Sequence, residues 1–301
     1  MFEGLQKGLV LKHSPTKEKP WAETEYSNDG DIHKFIEFLN SLSNLSYLSM
    51  HRVPCFFRGQ ANSDWNLEPA LYRLVKGIPL EEALGLEFDA IQYFKQRVGI
   101  FLQPQMVPKD EAIGNWLALM QHYRAPTRML DWTTSCNIAL YFAVFDEPQD
   151  KPGALWFFWH EELWNVMSKF TPITEGKWHI LLKDREEFVK FGCEQARPRI
   201  DGYDTDIKSE RMAAQQGVST FCEQLFCDQA QVIGKALMDM AVRDKDAMPL
   251  SKIVINPQSK RKMREYLNKL NITAVSLFPG IDGLGRSVTE IITVYREAFH
   301  A

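Results

Sequence analysis

The sequence lacks most of the signatures that name a chemistry outright. Its five cysteines, Cys55, Cys136, Cys193, Cys222 and Cys227, are odd in number and contain no CxxC pair. Neither a disulfide framework nor a zinc ribbon is supported, and reduced thiols are expected. No HExxH motif is present, and His33, His51, His160 and His179 stand apart from other ligand types, so no metal is predicted. No Walker A loop or GxGxxG occurs, which excludes a glycine-rich phosphate cradle, and the absence of GxSxG excludes an esterase elbow. No run approaches the ~18 apolar residues of a membrane-spanning helix. The first twenty residues carry scattered charges in place of an apolar core, so no secretion signal is expected. A cytoplasmic protein without a membrane partner is the resulting expectation. Net charge is −4, and the basic run Lys260–Lys269 reads first as a solvated helix face, which leaves a nucleic-acid processing protein using that helix as the weakest of the alternatives. There is no internal repeat and no low-complexity tract.

What remains is an ordinary apolar content of 45% with a rich aromatic share of 12%, including eight tryptophans, in 301 residues. That is enough chain for a substantial core. Apolar spacing predicts helices from Asp31 to about 45–49, over 80–102, over 110–123 and over 136–145, the last almost wholly apolar and therefore buried. Asp29 or Asp31 caps the first, and Thr134 or Ser135 the last. Short apolar runs predict strands at 52–59, 154–159, 178–182, 218–222, 251–255 and 272–277. Shorter helices are expected at 161–170 and 184–191, with a long connection over 193–212. Asn256-Pro257 opens a helix to about 270. The 251–277 stretch then reads as a strand–helix–strand crossover. Ser287-Val288-Thr289-Glu290 reads as a capping box that opens the final helix. The expectation is α+β: a single domain over 31–301 with a mixed or split β-sheet core, helices concentrated in the N-terminal half, and an irregular lead-in over 1–30.

Two stretches carry an unusual density of polar groups beside apolar ones: FFRGQANSDWNLEPALYR at 56–73 and QHYRAPTRMLDWTTSCNIALYFA at 121–143. Arg58 ends a buried strand beside Gly59 and Gln60. A guanidinium there suits a phosphate or carboxylate, and a glycine lets a ligand approach the backbone; an internal ion pair is the alternative. His122 is a candidate proton carrier or ribose contact, or else a helix C-terminal cap. Arg128 and Asp131 either join the site or pair with each other across the loop. Trp132 reads as core more readily than as a stacking platform. Gln215 and Gln216 offer amides that need no particular ionisation. Cys136 sits at a helix start, but the apolar run after it marks a buried, inert thiol.

These pieces, with RMAAQQGVSTF at 211–221 and LFPGIDGLGRS at 277–287, resemble the FRG domain, a family named for a Phe/Tyr-Arg-Gly motif. The family pattern carries a small residue or glycine where this chain has Arg124. A more distant resemblance, through the strand-borne FRG and the TTSxxxxALYFA segment, is to arginine-type mono-ADP-ribosyltransferases. It implies an ADP-ribosyltransferase-like fold, NAD as cofactor and small-molecule partner, a protein as acceptor, and a toxin or defence role. On that resemblance Arg58 holds the phosphates of NAD, and Thr133, Thr134 or Ser135 holds the nicotinamide ribose. Read from the residues themselves, Arg128 is a further cofactor contact, and His122, Asp131 and Gln216 are a catalytic set different from that family's. The Glu-x-Glu or Gln-x-Glu motif of those enzymes is not met at Gln215-Gln216-Gly217, the nearest candidate, so a non-catalytic nucleotide- or protein-binding module is the alternative.

Overall fold

The computed structural model of the protein describes residues 9–26, 31–48, 55–109, 113–145, 150–167, 182–194, 199–203, 209–241 and 248–299. Eight strands follow in chain order: β1 (Leu9–His13), β2 (Ala22–Tyr26), β3 (Cys55–Gln60), β4 (Met129–Thr133), β5 (Gly153–Trp159), β6 (Ile200–Tyr203), β7 (Gly217–Cys222) and β8 (Ser251–Ile255). They form one sheet in the spatial order β1-β2-β8-β5-β3-β4-β7-β6. Neighbours are antiparallel except β2 and β8, which run parallel. The fold is α+β and its sheet is mixed, as expected.

The helices are α1 (Ile32–Leu48), α2 (Ala70–Val75), α3 (Leu80–Val98), α4 (Ile113–His122), α5 (Cys136–Val144), α6 (His160–Met167), α7 (Arg185–Glu194), α8 (Glu210–Ala214), α9 (Gln229–Ala241), α10 (Pro257–Lys269), α11 (Ala274–Leu277) and α12 (Ile281–Phe299). They are spread along the whole chain, which corrects the expected concentration in the N-terminal half.

The central strands read as unbroken apolar runs because both faces of the sheet are covered. Phe57, Leu155, Phe157 and Ile253 point to one face and pack with α1, α5, α10 and α11. Phe56, Trp156 and Phe158 point to the other and pack with α6 and α9. A further cluster around Leu84, Phe88, Leu117 and Phe188 joins α3, α4 and α7.

Helix α5 lies against β3 and β5, and this contact explains a glycine. A Cβ on Gly59 would overlap the Ala139 carbonyl oxygen and stand 2.7 Å from the Ala143 amide nitrogen. Gly153 meets the Ala143 carbonyl in the same way. Ala139 and Ala143 are both wholly buried, so helix backbone rests directly on strand backbone. Gly59 therefore makes room for a helix, and it also lines the cleft at the seam described below.

Other expectations need revision. The stretch expected to be an irregular lead-in contains β1 and β2, and β2 borders β8 inside the sheet. Its alternation Ala22, Thr24, Tyr26 inward is the period-2 signal, masked by the polar residues Glu23 and Glu25 between. The expected strand at 272–277 is instead α11, opened by a capping box of Thr273 and Ser276. The final helix begins at Ile281, six residues before the expected box. Glu290 turns inward, accepting from the Tyr141 hydroxyl and the Ala274 amide, and Ser287 donates to the Leu284 carbonyl. The long connection over 193–212 contributes the edge strand β6. Asp31 does cap α1, accepting from the His33 amide at 2.9 Å. Asn256 opens α10, but its side chain goes to Glu25. The expected strand at 178–182 lies almost wholly outside the described residues.

Candidate functional site

The sheet is pinched open at one seam. Strands β3 and β5 share six paired positions, and β4 and β7 share five, yet β3 and β4 meet at a single pair, Phe57 with Thr133. Beyond that pair the strands part. Into the gap reaches Arg58, whose Nη1 donates to the Asp131 carbonyl at 2.5 Å. A cleft of about 230 Å³ opens over the seam, lined by Arg58, Gln60, Trp65, Asp131, Thr133, Phe142, Arg211 and Gln215 among others. A smaller annex of about 50 Å³ shares Asp131, Trp132, Arg211 and Gln215 with it and is lined by His122 as well. Strands that part leave backbone groups and inward side chains facing a hollow, where a ligand can find directional partners.

The structure thus brings Arg58, Asp131, Thr133 and His122 to one place. The Asp131 carboxylate is exposed and accepts from Gln121 Nε2, while Gln121 Oε1 accepts from Thr127 at 2.5 Å. That chain of bonds fixes the carboxylate's direction. His122 ends α4, and its Nδ1 is 3.1 Å from the Ser209 hydroxyl. Burial lowers its pKa from the ordinary 6.5, and the nearby charge of Arg211 lowers it further. The imidazole is therefore neutral at pH 7. Because the folded pKa lies below the unfolded one, the unfolded chain takes the proton first. The stability tied to neutral His122 is complete above pH 6.5 and is lost as pH falls toward the folded value. Urea midpoints measured above and below pH 6.5 should diverge less in His122→Gln than in the parent protein. An equal pH dependence in both would show that the imidazole is not shielded.

Other expected site residues serve the scaffold. Arg128 is 1% exposed and cannot reach a ligand. Its Nε and Nη2 pair with both oxygens of Glu87, and its Nη1 donates to the Glu223 carbonyl at 2.6 Å. Gln60 is spent on the Asn66 carbonyl and the Trp156 indole. Ser135 caps α5 by accepting from the Ile138 amide. The Thr133 hydroxyl donates to the Gln215 carbonyl and accepts from the Ser135 amide, so it lines the cleft with its hydrogen bonds already made. Gln216 sits at φ 45° and accepts from Thr134, while it is its neighbour Gln215 that lines the cleft.

Arg211 was missed by sequence reasoning. It comes from α8, covers the Phe278 ring at 5.0 Å and lines both parts of the cleft. Burial lowers its pKa, Arg286 and Arg124 lower it further, and Asp131 and Asp282 act in opposition. An arginine remains charged through such a shift, so the cleft holds two guanidinium groups around one carboxylate. Arg124 occupies the left-handed region at φ 64°, a backbone conformation that favours glycine. Its side chain pairs with Asp282 at 2.9 Å.

A larger cavity, about 560 Å³, lies over β1, β2 and β8, with Trp65 as the wall it shares with the cleft. Its three lysines are matched internally: Lys12 to Glu25, Lys19 to Glu23, and Lys252 to Glu23 and the Ser63 carbonyl. Size alone favours that cavity; convergence of chemistry favours the cleft at the seam, which we take as the site. Among the described residues no group of His, Cys, Asp and Glu is arranged to hold a metal, and no helix is long and apolar enough to cross a membrane.

No curated protein and no solved structure matches the chain. Residues 54–152 match the model of the FRG domain, a span that supplies β3, β4 and α5, and with them Arg58, Asp131 and the seam itself, while Arg211 and Gln215 enter the cleft from beyond it.

Proposed function

We propose that the cleft binds a phosphate-bearing nucleotide of the NAD type, with Arg58 and Arg211 sharing its diphosphate. The observation behind this reading is that two arginines from distant parts of the chain line one cleft at the β3–β4 seam. A guanidinium offers planar, paired donors that suit phosphate oxygens, and such charge-assisted bonds are about twice as strong as neutral ones. Trp65 is 47% exposed at the cleft's border and gives a planar ring a face to stack on. Asp131 is positioned to stabilise positive charge developing at a ribose carbon, and neutral His122 in the annex can accept a proton from an attacking hydroxyl. Glycosidic cleavage or ADP-ribosyl transfer follows from that set.

A second reading, a binding module without turnover, is favoured by one observation. Asp131 is the one carboxylate among the described residues lining the cleft, and no Glu-x-Glu pair stands behind it. Calorimetry with NAD, ADP-ribose, AMP and inorganic phosphate, alongside an assay of nicotinamide release, separates the two. Arg58→Ala and Arg211→Ala should each weaken binding about 10- to 100-fold, the cost of a lost hydrogen bond to a charged group. Release that disappears in Asp131→Asn establishes the enzyme. Binding without release establishes the module, and no binding of any of the four ligands sinks both readings.

A further inference from the structure

Helix α12 is turned inside out. Its inward contacts are polar: Glu290 holds Tyr141 and the Ala274 amide, and Arg286 covers Phe278 at 4.1 Å. Its apolar side chains face outward, Ile281 at 82% exposure, Leu284 at 54%, Val288 at 53%, Ile291 at 55% and Tyr295 at 65%. These five fall at spacings of three, four, three and four, the a/d pattern of a coiled-coil seam sustained along the helix. Ile292 widens the stripe at 62% exposure.

We infer that this stripe is the contact surface for a second copy of the same chain, joined through α12 about a two-fold axis. Three points favour a second copy over an unrelated partner. The positions flanking the seam are Gly285, Ser287, Ile292 and Val294, all uncharged. Heteromeric coiled coils select partners by charges at those positions; here nothing repels an identical helix. The six apolar residues expose roughly 700 Å² per copy, so a pair buries on the order of 1,400 Å², within the range of stable specific interfaces. A two-fold contact also closes on itself, as an exposed stripe of this kind requires if the chain is not to aggregate.

The test is the mass of the intact chain in solution by sedimentation equilibrium. A species of twice the 34.8 kDa chain mass is expected, collapsing to the single-chain mass in Leu284→Glu/Ile291→Glu. Both residues are exposed, so the far-ultraviolet circular dichroism and melting temperature of the variant should match those of the parent's separated chains. Lys262→Glu, on the solvated face of α10, serves as control and should keep the double mass. A parent protein that stays at single-chain mass up to about 100 μM, a protein concentration far above the micromolar range of specific complexes, overturns the inference. So does a double-mass species that survives the paired substitution.

Discussion

Arg128→Ala is expected to remove about 3–5 kcal/mol of folding stability, the usual cost of stripping one partner from a buried ion pair. The reason is where the pair sits. Arg128 and Glu87 are 1% and 3% exposed, joined through two guanidinium nitrogens and both carboxylate oxygens. The third guanidinium nitrogen donates to the Glu223 carbonyl just past β7. One side chain thus ties α3 to the entry of β4 and the exit of β7. Alanine would leave the Glu87 carboxylate buried without its counter-charge. Urea denaturation measures the loss, and a second variant decides its origin. Arg128→Met/Glu87→Leu removes both charges and keeps the volume, so most of the stability should return. Nucleotide binding in that double variant should equal the parent's, because neither group lines the cleft. A loss under about 1 kcal/mol in Arg128→Ala, as for an exposed pair, would show that the pair is open to water. Loss of binding in the stable double variant would return Arg128 to the site.

How much of this was legible in the sequence depends on whether a signal was local. The caps at Asp31 and Ser135, the buried α5 and the apolar strands β3, β5 and β8 follow from spacing within a few residues, and they stand where the spacing put them. Arg58 and Asp131 were legible because each is a charge beside an apolar strand. The misassignments share another origin. Arg128 carries the same local signature as Arg58, but its partner Glu87 lies forty-one positions earlier on α3, and one chain alone does not show that they meet. Gly59 lines the cleft, but its contact with α5, made across eighty positions, has no local mark. Arg211 belongs to the site only because α8 leads into β7 and β7 pairs with β4, a long-range placement with no local mark beyond an arginine ahead of Gln215. The inward turn of Glu290 made a capping box look plausible, since a glutamate bonded to Tyr141 across the fold and one bonded to its own helix start are identical in sequence. Local chemistry is written in the sequence; which two charges meet is a property of topology.

Gly59→Ala should be among the most damaging of the alanine substitutions at the described glycines, costing about 3 kcal/mol or more, the upper end for overpacking. A methyl on Gly59 has no free space: it overlaps the Ala139 carbonyl and lies 2.7 Å from the Ala143 amide nitrogen. Those atoms are helix backbone and cannot swing aside as a side-chain tip would. Either α5 lifts from β3 or the strand bends toward the seam. Both displace the Phe57–Thr133 pair that pins β3 to β4 and so change the width of the cleft. The variant should therefore lose stability and nucleotide binding together, whereas Arg58→Ala should lose binding with little change in melting temperature. Gly99→Ala supplies the contrast. Gly99 sits at φ −63° in helical geometry with open space around it, so alanine there should be neutral or stabilising by ~0.4–1 kcal/mol through the unfolded chain. Thermal melts of the three variants, paired with calorimetry on each, test this. A Gly59→Ala protein as stable as Gly99→Ala would mean that α5 is not seated on the strand backbone, and the account of the seam would fail with it.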